Sequence, residues 1–303
     1  MTISRSYKQI KLELARQLNF SEFSVVLNGN YAADDADWNY KDVPHLNIVH
    51  SQVDSVQTWI ADEAIATINF QKIWFITLPM VVFNYEAERL NQVYFTSFGP
   101  ILLLVNTVTK GSNESCEVTT TYCLFAKKPF SWLFPILKRV IIRNNKILMS
   151  EDTPMRDRRG VLRRAGHDFV KPSKSYGYEF TTEINRNNVR IAGDKNSISV
   201  SMSDLINPSS EKLGDDVGVL SFKVKEVQGV SEVWVTTCPH EGAELNLTDK
   251  CLTNGFATCP WHGRRLGPLF KVVNGEVVTA NKSLPYKIKR VGEKVEISYS
   301  GGN

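Results

Sequence analysis

The chain has 303 residues, 42% apolar and 22% charged, the proportions of a folded globular protein with length for about two hydrophobic cores. Its 36 basic and 32 acidic residues give a formal charge of +4 and are intermixed rather than blocked, so no nucleic-acid-binding tail is implied. No signal-peptide pattern follows Met1, and the apolar runs Trp74 to Phe83 and Trp132 to Ile142 are too short, or too interrupted by Pro135, Lys138 and Arg139, to span a bilayer; no membrane span and a cytoplasmic location are expected.

Residues 4 to 18 read as a helix, because Ile10, Leu14 and Leu18 recur at four-residue spacing among Lys and Arg. A strand is expected near Glu22 to Leu27, then a polar turn segment from Asn28 to Asp37. Pro44 suits the first turn of a helix, where its missing N–H costs nothing, and the pattern continues to about Ala66. The period then becomes two. Trp74 to Phe83, Gln92 to Ser97, Ile101 to Val108 and Val118 to Phe125 are β-branched or aromatic runs parted by turns such as Lys110-Gly111-Ser112-Asn113, which predicts an antiparallel meander. The aromatic residues of this region, Trp74, Phe75, Phe83, Tyr94 and Phe95, are expected mainly in the core, and a curved sheet against a helix commonly encloses an apolar pocket.

Residues 130 to 165 return to helical spacing, with Pro135 near the start and Pro154 marking a kink or a break between two helices. The order helix, strands, helix predicts an α+β domain over residues 1 to 178, its curved sheet wrapped on a long helix. Lys171 to Tyr178 reads as a linker. From residue 186 to 303 the short runs Val219 to Val224, Glu232 to Thr236, Glu276 to Thr279 and Lys294 to Ser298 predict a small all-β domain.

That second domain carries Cys238-Pro239-His240-Glu241-Gly242 and, after 18 intervening residues from His240, Cys259-Pro260-Trp261-His262-Gly263, the pattern C-x-H and C-x2-H. Two thiolates and two imidazoles suit tetrahedral zinc in principle. Zinc fingers, however, draw like ligands from one turn. Here each loop supplies one Cys and one His, which suits two irons, one held by both cysteines and the other by both histidines. Gly242 and Gly263 permit tight turns and Pro239 and Pro260 stiffen them. The remaining Cys116, Cys123 and Cys251 have no scaffold-like spacing, so no disulfide framework is expected, and Cys251 reads as a small buried side chain. Trp261 reads equally as a shield for a cluster or as ordinary core.

A second constellation lies in the first domain: Asp42-Val43-Pro44-His45-Leu46-Asn47-Ile48-Val49-His50, or D-x2-H-x4-H. Two imidazoles and one carboxylate, with open positions left over, form the facial triad of non-haem Fe(II) oxygenases, where O2 and substrate both need room. The plainer reading is two histidines that pack or face water. Residues five apart on a regular helix point about 140° apart, so a shared ion requires a distortion, and Pro44 marks where regular helix has not begun.

The segment from Val219 to Ser298, with the two loops and Gly267-Pro268-Leu269-Phe270, resembles the Rieske [2Fe-2S] domains of ring-hydroxylating oxygenases. Cytochrome bc-type Rieske domains carry an extra cysteine in each loop; position 243 here is Ala, so the likeness points to the oxygenase or ferredoxin branch. D-x2-H-x4-H is similar to the iron motif of the same oxygenases. Their catalytic domains have a helix-grip fold, Bet v 1/START-like, which matches the α+β pattern above. The resemblance implies that Cys238, His240, Cys259 and His262 bind the cluster and that His45 and His50 bind a mononuclear Fe2+. It implies that Asp42 is the bridging acid on the electron path, and that a carboxylate near Glu151-Asp152-Thr153-Pro154 is the third iron ligand. Asp152 is the choice, with Glu151 and Asp157 as alternatives; Asp152 followed by Thr-Pro also suits a helix N-cap. In the family the Rieske domain comes first, whereas here it follows.

The implied activity is O2-dependent hydroxylation or demethylation of an apolar small molecule. Electrons would come from a separate reductase or ferredoxin, since no G-x-G-x-x-G or P-loop is present, and would cross between chains of a homotrimer. Two rival readings stand beside it. One is a non-catalytic electron-transfer or redox-sensing protein with a lipid- or polyketide-binding helix-grip domain; the other is a cyclase- or hydrolase-like enzyme using His45 as base. The run Arg156, Arg158, Arg159, Arg163 and Arg164 reads as a solvated helix face, with docking of an acidic electron donor as the alternative. His167 reads as a surface or capping residue.

Overall fold

The structure is a computed structural model that describes residues 6–61, 64–73, 76–170, 184–207, 212–279 and 281–301. Described residues up to Gly160 form one compact unit, and Val161–Val170 together with those from 184 onward form a second. The expected linker, Lys171 to Tyr178, lies outside the described residues, as do Trp74 and Phe75.

The first unit opens with helix α1 (Tyr7–Ala15), whose N-cap Ser6 and Gln9 close a reciprocal capping box. Strand β1 (Asn19–Gly29) follows, then helix α2 (Ala33–Lys41). A 3₁₀ turn (Val43–His45) and the short helix α3 (Leu46–Val49) lead to β2 (Val53–Ala61), β3 (Ala64–Ile73), β4 (Ile76–Glu88), β5 (Asn91–Phe98), β6 (Ile101–Gly111) and β7 (Cys116–Ala126). The seven strands form one antiparallel sheet in the order β1-β7-β6-β5-β4-β3-β2. Helix α4 (Phe134–Arg164) runs 31 residues after a 3₁₀ turn.

Alternation along β6 and β7 assigns the two faces of the sheet. Leu103, Val105 and Leu124 share a core with Phe134 of α4, against which Leu137 and Ile141 also pack, while Leu104, Cys123 and Phe125 face the other way and meet Ile10 and Leu14 of α1. The sheet is therefore covered on both sides, by the long helix on one and the charged amphipathic helix on the other. This α+β arrangement is the one expected.

Three expectations for this unit are corrected. The helix begun at Pro44 does not reach Ala66: it ends at Val49, and the residues from Val53 pair as strands, with Val53 opposite Gln71 and Ala61 opposite Ala64. Apolar residues on an edge hairpin fit a helical period over a short window, and cross-strand pairing overrides that local preference. The polar segment Asn28 to Asp37 is not all turn, because α2 starts at Ala33. Asp34 and Asp35 in its first turn complement the positive end of the helix dipole. Finally, of the two readings of Pro154, a kink or a break between two helices, the break is excluded, because Pro154 lies inside α4. Immediately before it Thr153 Oγ1 donates back to the Met149 carbonyl at 2.6 Å, a bond to i−4 that side chains of this type make inside helices.

The second unit begins with β8 (His167–Phe169), β9 (Val189–Ile191) and β10 (Ser197–Ser201), then a short helix α5 (Met202–Ile206). Ten further strands follow: β11 (Lys212–Gly214), β12 (Ser221–Val227), β13 (Val230–Val235), β14 (Leu252–Thr253), β15 (Phe256–Thr258), β16 (Arg265–Leu266), β17 (Phe270–Val273), β18 (Glu276–Thr279), β19 (Tyr286–Val291) and β20 (Lys294–Tyr299). They form small antiparallel sheets, the largest ordered β11-β12-β13-β17-β18. Helix α5 and a 3₁₀ turn at Asp249–Cys251 depart from the all-β expectation. No helix among the described residues is long and apolar enough to cross a membrane.

Candidate metal centre

The local fold of residues 42–50 removes the objection that two histidines five apart cannot share an ion. His45 closes the 3₁₀ turn, and His50 has already left α3, with extended backbone at φ −90° and ψ 123°. The change of helix type and the exit from it turn both imidazoles inward. His45 Nε2 lies 3.2 Å from His50 Nε2. The third corner comes from α4, where Asp152 Oδ1 is 3.4 Å from His45 Nε2 and 3.3 Å from His50 Nε2. His45, His50 and Asp152 are all buried, and they are the group of potential ligands that converges tightly enough for one ion among the described residues.

Around this triangle each ligand is steadied by another group. Asp42 Oδ2 is 3.6 Å from His45 Nδ1. Glu151 Oε2 is 3.0 Å from His50 Nδ1, and Glu151 Oε1 accepts from both the backbone N–H and the hydroxyl of Ser51, at 3.2 and 2.6 Å. Asp152 receives Asn39 Nδ2 on Oδ1 and Arg156 Nη2 on Oδ2, each at 3.4 Å. Arg156 also donates to Asn39 Oδ1 through Nε at 2.9 Å and Nη2 at 2.6 Å. This is the outer arrangement that metal-binding histidines and carboxylates use to fix tautomer and direction. Of the alternatives to Asp152, Glu151 orients His50 from outside the triangle and Asp157 is exposed. Asp152 sits in the helix interior, so it is not an N-cap.

Charge in the site follows from these contacts. Burial works against a charged His45, but the nearby carboxylates of Asp152 and Asp42 outweigh it and push its pKa up to about 9. Burial likewise opposes ionised Asp152, yet its contacts with His45 and the nearby Arg156 hold it below the usual carboxylate range. Two imidazole nitrogens and one anionic oxygen facing one another are a donor set that fits a divalent cation of the Fe2+ type.

Beside the triangle lies a cavity of about 290 Å3 between the sheet and α4, at the small end for ligand sites. Asn145, Leu148, Met149 and Asp152, spaced along one face of α4, form its roof, and β3 to β7 form its floor.

In the second unit, Cys238 and His240 sit in one loop and Cys259 and His262 in another, all buried. The loops repeat one backbone pattern. Gly242 N–H donates to the Cys238 carbonyl at 3.0 Å and Cys238 N–H to the Ala243 carbonyl at 2.8 Å; Gly263 N–H donates to Cys259 at 3.0 Å and Cys259 N–H to Arg264 at 2.8 Å. Both glycines need positive φ, +91° and +68°. The rings of His240 and His262 lie edge to face with centroids 4.6 Å apart. The neighbouring Cys259 thiol, together with burial, holds the Cys238 thiol above the ordinary thiol range. Two sulfurs and two buried imidazoles, presented in equivalent loops, fit a cluster ligated by two Cys and two His. Trp261 is buried, whereas Cys251 is exposed, contrary to expectation, because it ends a 3₁₀ turn on the surface.

Two further expectations are corrected. Arg156 and Arg159 are not on a solvated face; they are buried, Arg159 Nε donating to Asp35 at 2.8 Å with its guanidinium 4.1 Å from the Trp38 ring centre. His167 is buried too, and its Nε2 accepts from the Val219 N–H at 3.3 Å. Arg156 is not recognisable as a site residue from sequence, since it stands in a basic run, and Asn39, just beyond the segment read as turn, is marked only by the resemblance of Trp38-Asn39-Tyr40-Lys41 to the Asn-Trp-Lys run before the oxygenases' iron motif. For Arg156 the spacing from Asp152, one turn apart on α4, is the one available signal.

No protein-family model matches the chain, and no curated protein matches it. Among solved structures, the chain is similar to the Zhui aromatase/cyclase from Streptomyces sp. R1128, at 12% identity and TM-score 0.41 over 49% of this chain and 99% of that one. A protein from Thermus thermophilus aligns at 13% identity and TM-score 0.40 over 47% and 99%. A dicamba monooxygenase bound to 3,6-dichlorosalicylic acid aligns at 12% identity and TM-score 0.38 over 54% of this chain and 57% of that one.

Proposed function

We propose that this chain is a Rieske-type, non-haem-iron oxygenase that hydroxylates or demethylates a small molecule held between its seven-stranded sheet and α4. The observation that carries the reading is the closure of His45 Nε2, His50 Nε2 and Asp152 Oδ1 into one buried triangle beside a ligand-sized cavity. Bound at Cys238, His240, Cys259 and His262, a [2Fe-2S] cluster supplies one-electron transfer, and a mononuclear Fe2+ on His45, His50 and Asp152 supplies O2 activation.

The protein's own residues do the remaining work. Glu151 and Asp42 hold the two imidazoles with Nε2 turned to the shared corner, and the Asn39–Arg156 pair turns Asp152 Oδ1 toward it. The triangle adjoins the cavity, so a molecule bound there would lie beside an ion held by the three residues. Leu103, Val105 and Leu148 on its walls exclude water and seat an apolar framework. Asp42, 3.6 Å from His45, would be the bridging acid through which a cluster of a neighbouring chain in a homotrimer would supply electrons, with a separate reductase or ferredoxin as their source.

The test is iron and acid-labile sulfide per chain in protein purified without oxygen. The reading expects about three irons and two sulfides, with loss of one iron in His45→Ala and in Asp152→Ala. Two irons in wild type after reconstitution with Fe(II) would overturn it in favour of an electron carrier joined to a ligand-binding domain.

A further inference from the structure

The cavity floor is not uniformly apolar. On β3 the alternate residues Ile65, Thr67, Asn69 and Gln71 face the cavity, so three consecutive inward positions are polar, and Thr96 on β5 joins them. Thr67, Asn69 and Thr96 are only 5%, 9% and 6% exposed. Asn69 Oδ1, Gln71 Nε2 and Thr96 Oγ1 are buried with no hydrogen-bond partner among the described residues.

Among the described side chains their neighbours do not supply one. Asn69 lies opposite Met80 and Thr67 opposite Val82 on β4, while Thr96 lies opposite Leu103 on β6. Elsewhere in the same cavity the Thr107 and Thr120 hydroxyls serve each other, 3.4 Å apart. Neighbouring β6 shows that the sheet accepts Leu103 and Val105 at equivalent inward positions. A buried amide or hydroxyl left without a partner is destabilising, so this row is costly unless a ligand completes it.

We infer that the cavity takes a small molecule with an apolar skeleton bearing at least one hydrogen-bond donor and one acceptor, a hydroxyl and a carbonyl for example, met by Asn69, Gln71 and Thr96. Each amide offers both a donor and an acceptor, so the requirement holds whichever way its group is turned. Two inward neighbours on one strand stand about 7 Å apart, which sets the separation of the two functions on the ligand. Gln71 pairs with Val53, just after His50 in the chain, so the row begins beside the segment that carries the histidine corner. The inference rests on the cavity's role in the proposed oxygenase but not on the iron, so the two fail separately.

The probes are tetralin and 6-hydroxy-1-tetralone, one skeleton without and with a donor and an acceptor. Binding of each to the full chain is measured by calorimetry, without reductant so that no turnover occurs, and repeated on protein stripped of mononuclear metal by chelation. The expected result is about tenfold tighter binding of the hydroxyketone, with the preference reduced several-fold in Asn69→Leu and in the near-isosteric Thr96→Val while tetralin binding is kept. Equal binding of the two probes, no binding of either, or a preference untouched by both substitutions overturns the inference. A preference that persists in a chain lacking the third iron would sustain it while the oxygenase reading falls.

Discussion

Arg156 Nη2 reaches Asp152 Oδ2 at 3.4 Å from one turn along α4, while Oδ1 of the same carboxylate is left to the two histidines. Because Asn39 receives two bonds from Arg156 and donates to Oδ1, the carboxylate is gripped on both oxygens by α2 and α4 together. Oδ2 is thereby held by Arg156, while Oδ1, steadied by Asn39, is the oxygen that faces both histidines.

Releasing that grip should weaken metal binding without removing a ligand. Asn39→Leu is expected to lower Fe(II) affinity by about 10- to 100-fold, the usual effect of losing an outer-shell partner. Anaerobic Fe(II) titration would show one ion still bound at saturation. Unchanged affinity would mean that the Asn39–Arg156 pair serves packing alone.

Glu151 and Asp152 are adjacent but should behave differently. Glu151→Gln keeps a group beside His50 and Ser51, so the mononuclear site should still fill at saturating Fe(II), with affinity reduced by about tenfold. Asp152→Ala should fail to fill it at any accessible concentration. Loss of the ion in both variants would show Glu151 to be a ligand.

The Arg159–Asp35 pair ties α4 to α2 with both side chains at most 2% exposed. Asp35→Ala strands a buried guanidinium and should destabilise the first unit by about 3–5 kcal/mol in denaturant unfolding. Replacing both partners by apolar residues of similar size should recover most of that loss. If the single substitution costs no more than a surface ion pair, about 1 kcal/mol or less, the pair is solvated in solution.

Gly242 is the sharpest backbone constraint in the cluster loops. A Cβ there would lie 2.5 Å from Leu162 Cδ1 in addition to the cost of φ +91°. Gly275, at φ +78°, has open space around it. Gly275→Ala should cost about 1–2 kcal/mol from conformation alone, whereas Gly242→Ala should cost more and reduce acid-labile sulfide per chain. Equal unfolding midpoints for the two variants would contradict this.

Much of the second unit is legible because its signals are local. A Cys and a His within one short loop, with a glycine at the turn, are read directly off the chain, and the longer strands near Val219, Glu232 and Lys294 are β-branched runs bounded by turns. The meander β4 to β7 is legible for the same reason. By contrast, α2 is made of Ala-Asp-Asp-Ala-Asp-Trp-Asn-Tyr-Lys, polar by composition yet buried over most of its length, and its acids read as turn formers because most of the partners that neutralise them are far away in sequence. Asp35 meets Arg159, and Asp37 meets Gln92 as well as Lys41.

The sequence by itself determined which residues could be ligands: the spacing of Asp42, His45 and His50 and the two loops of Cys238–His240 and Cys259–His262 are properties of the chain. Only the tertiary structure decided that His45 and His50 face one corner, because that depends on where the helix breaks, and a break after Val49 is fixed by β2 pairing with β3. Only it decided that Asp152, rather than Glu151 or Asp157, occupies that corner. Three carboxylates within two turns of one helix point in different directions, and the rotation of α4 about its axis is set by its packing on the sheet and by the buried Arg156 and Arg159 contacts to α2.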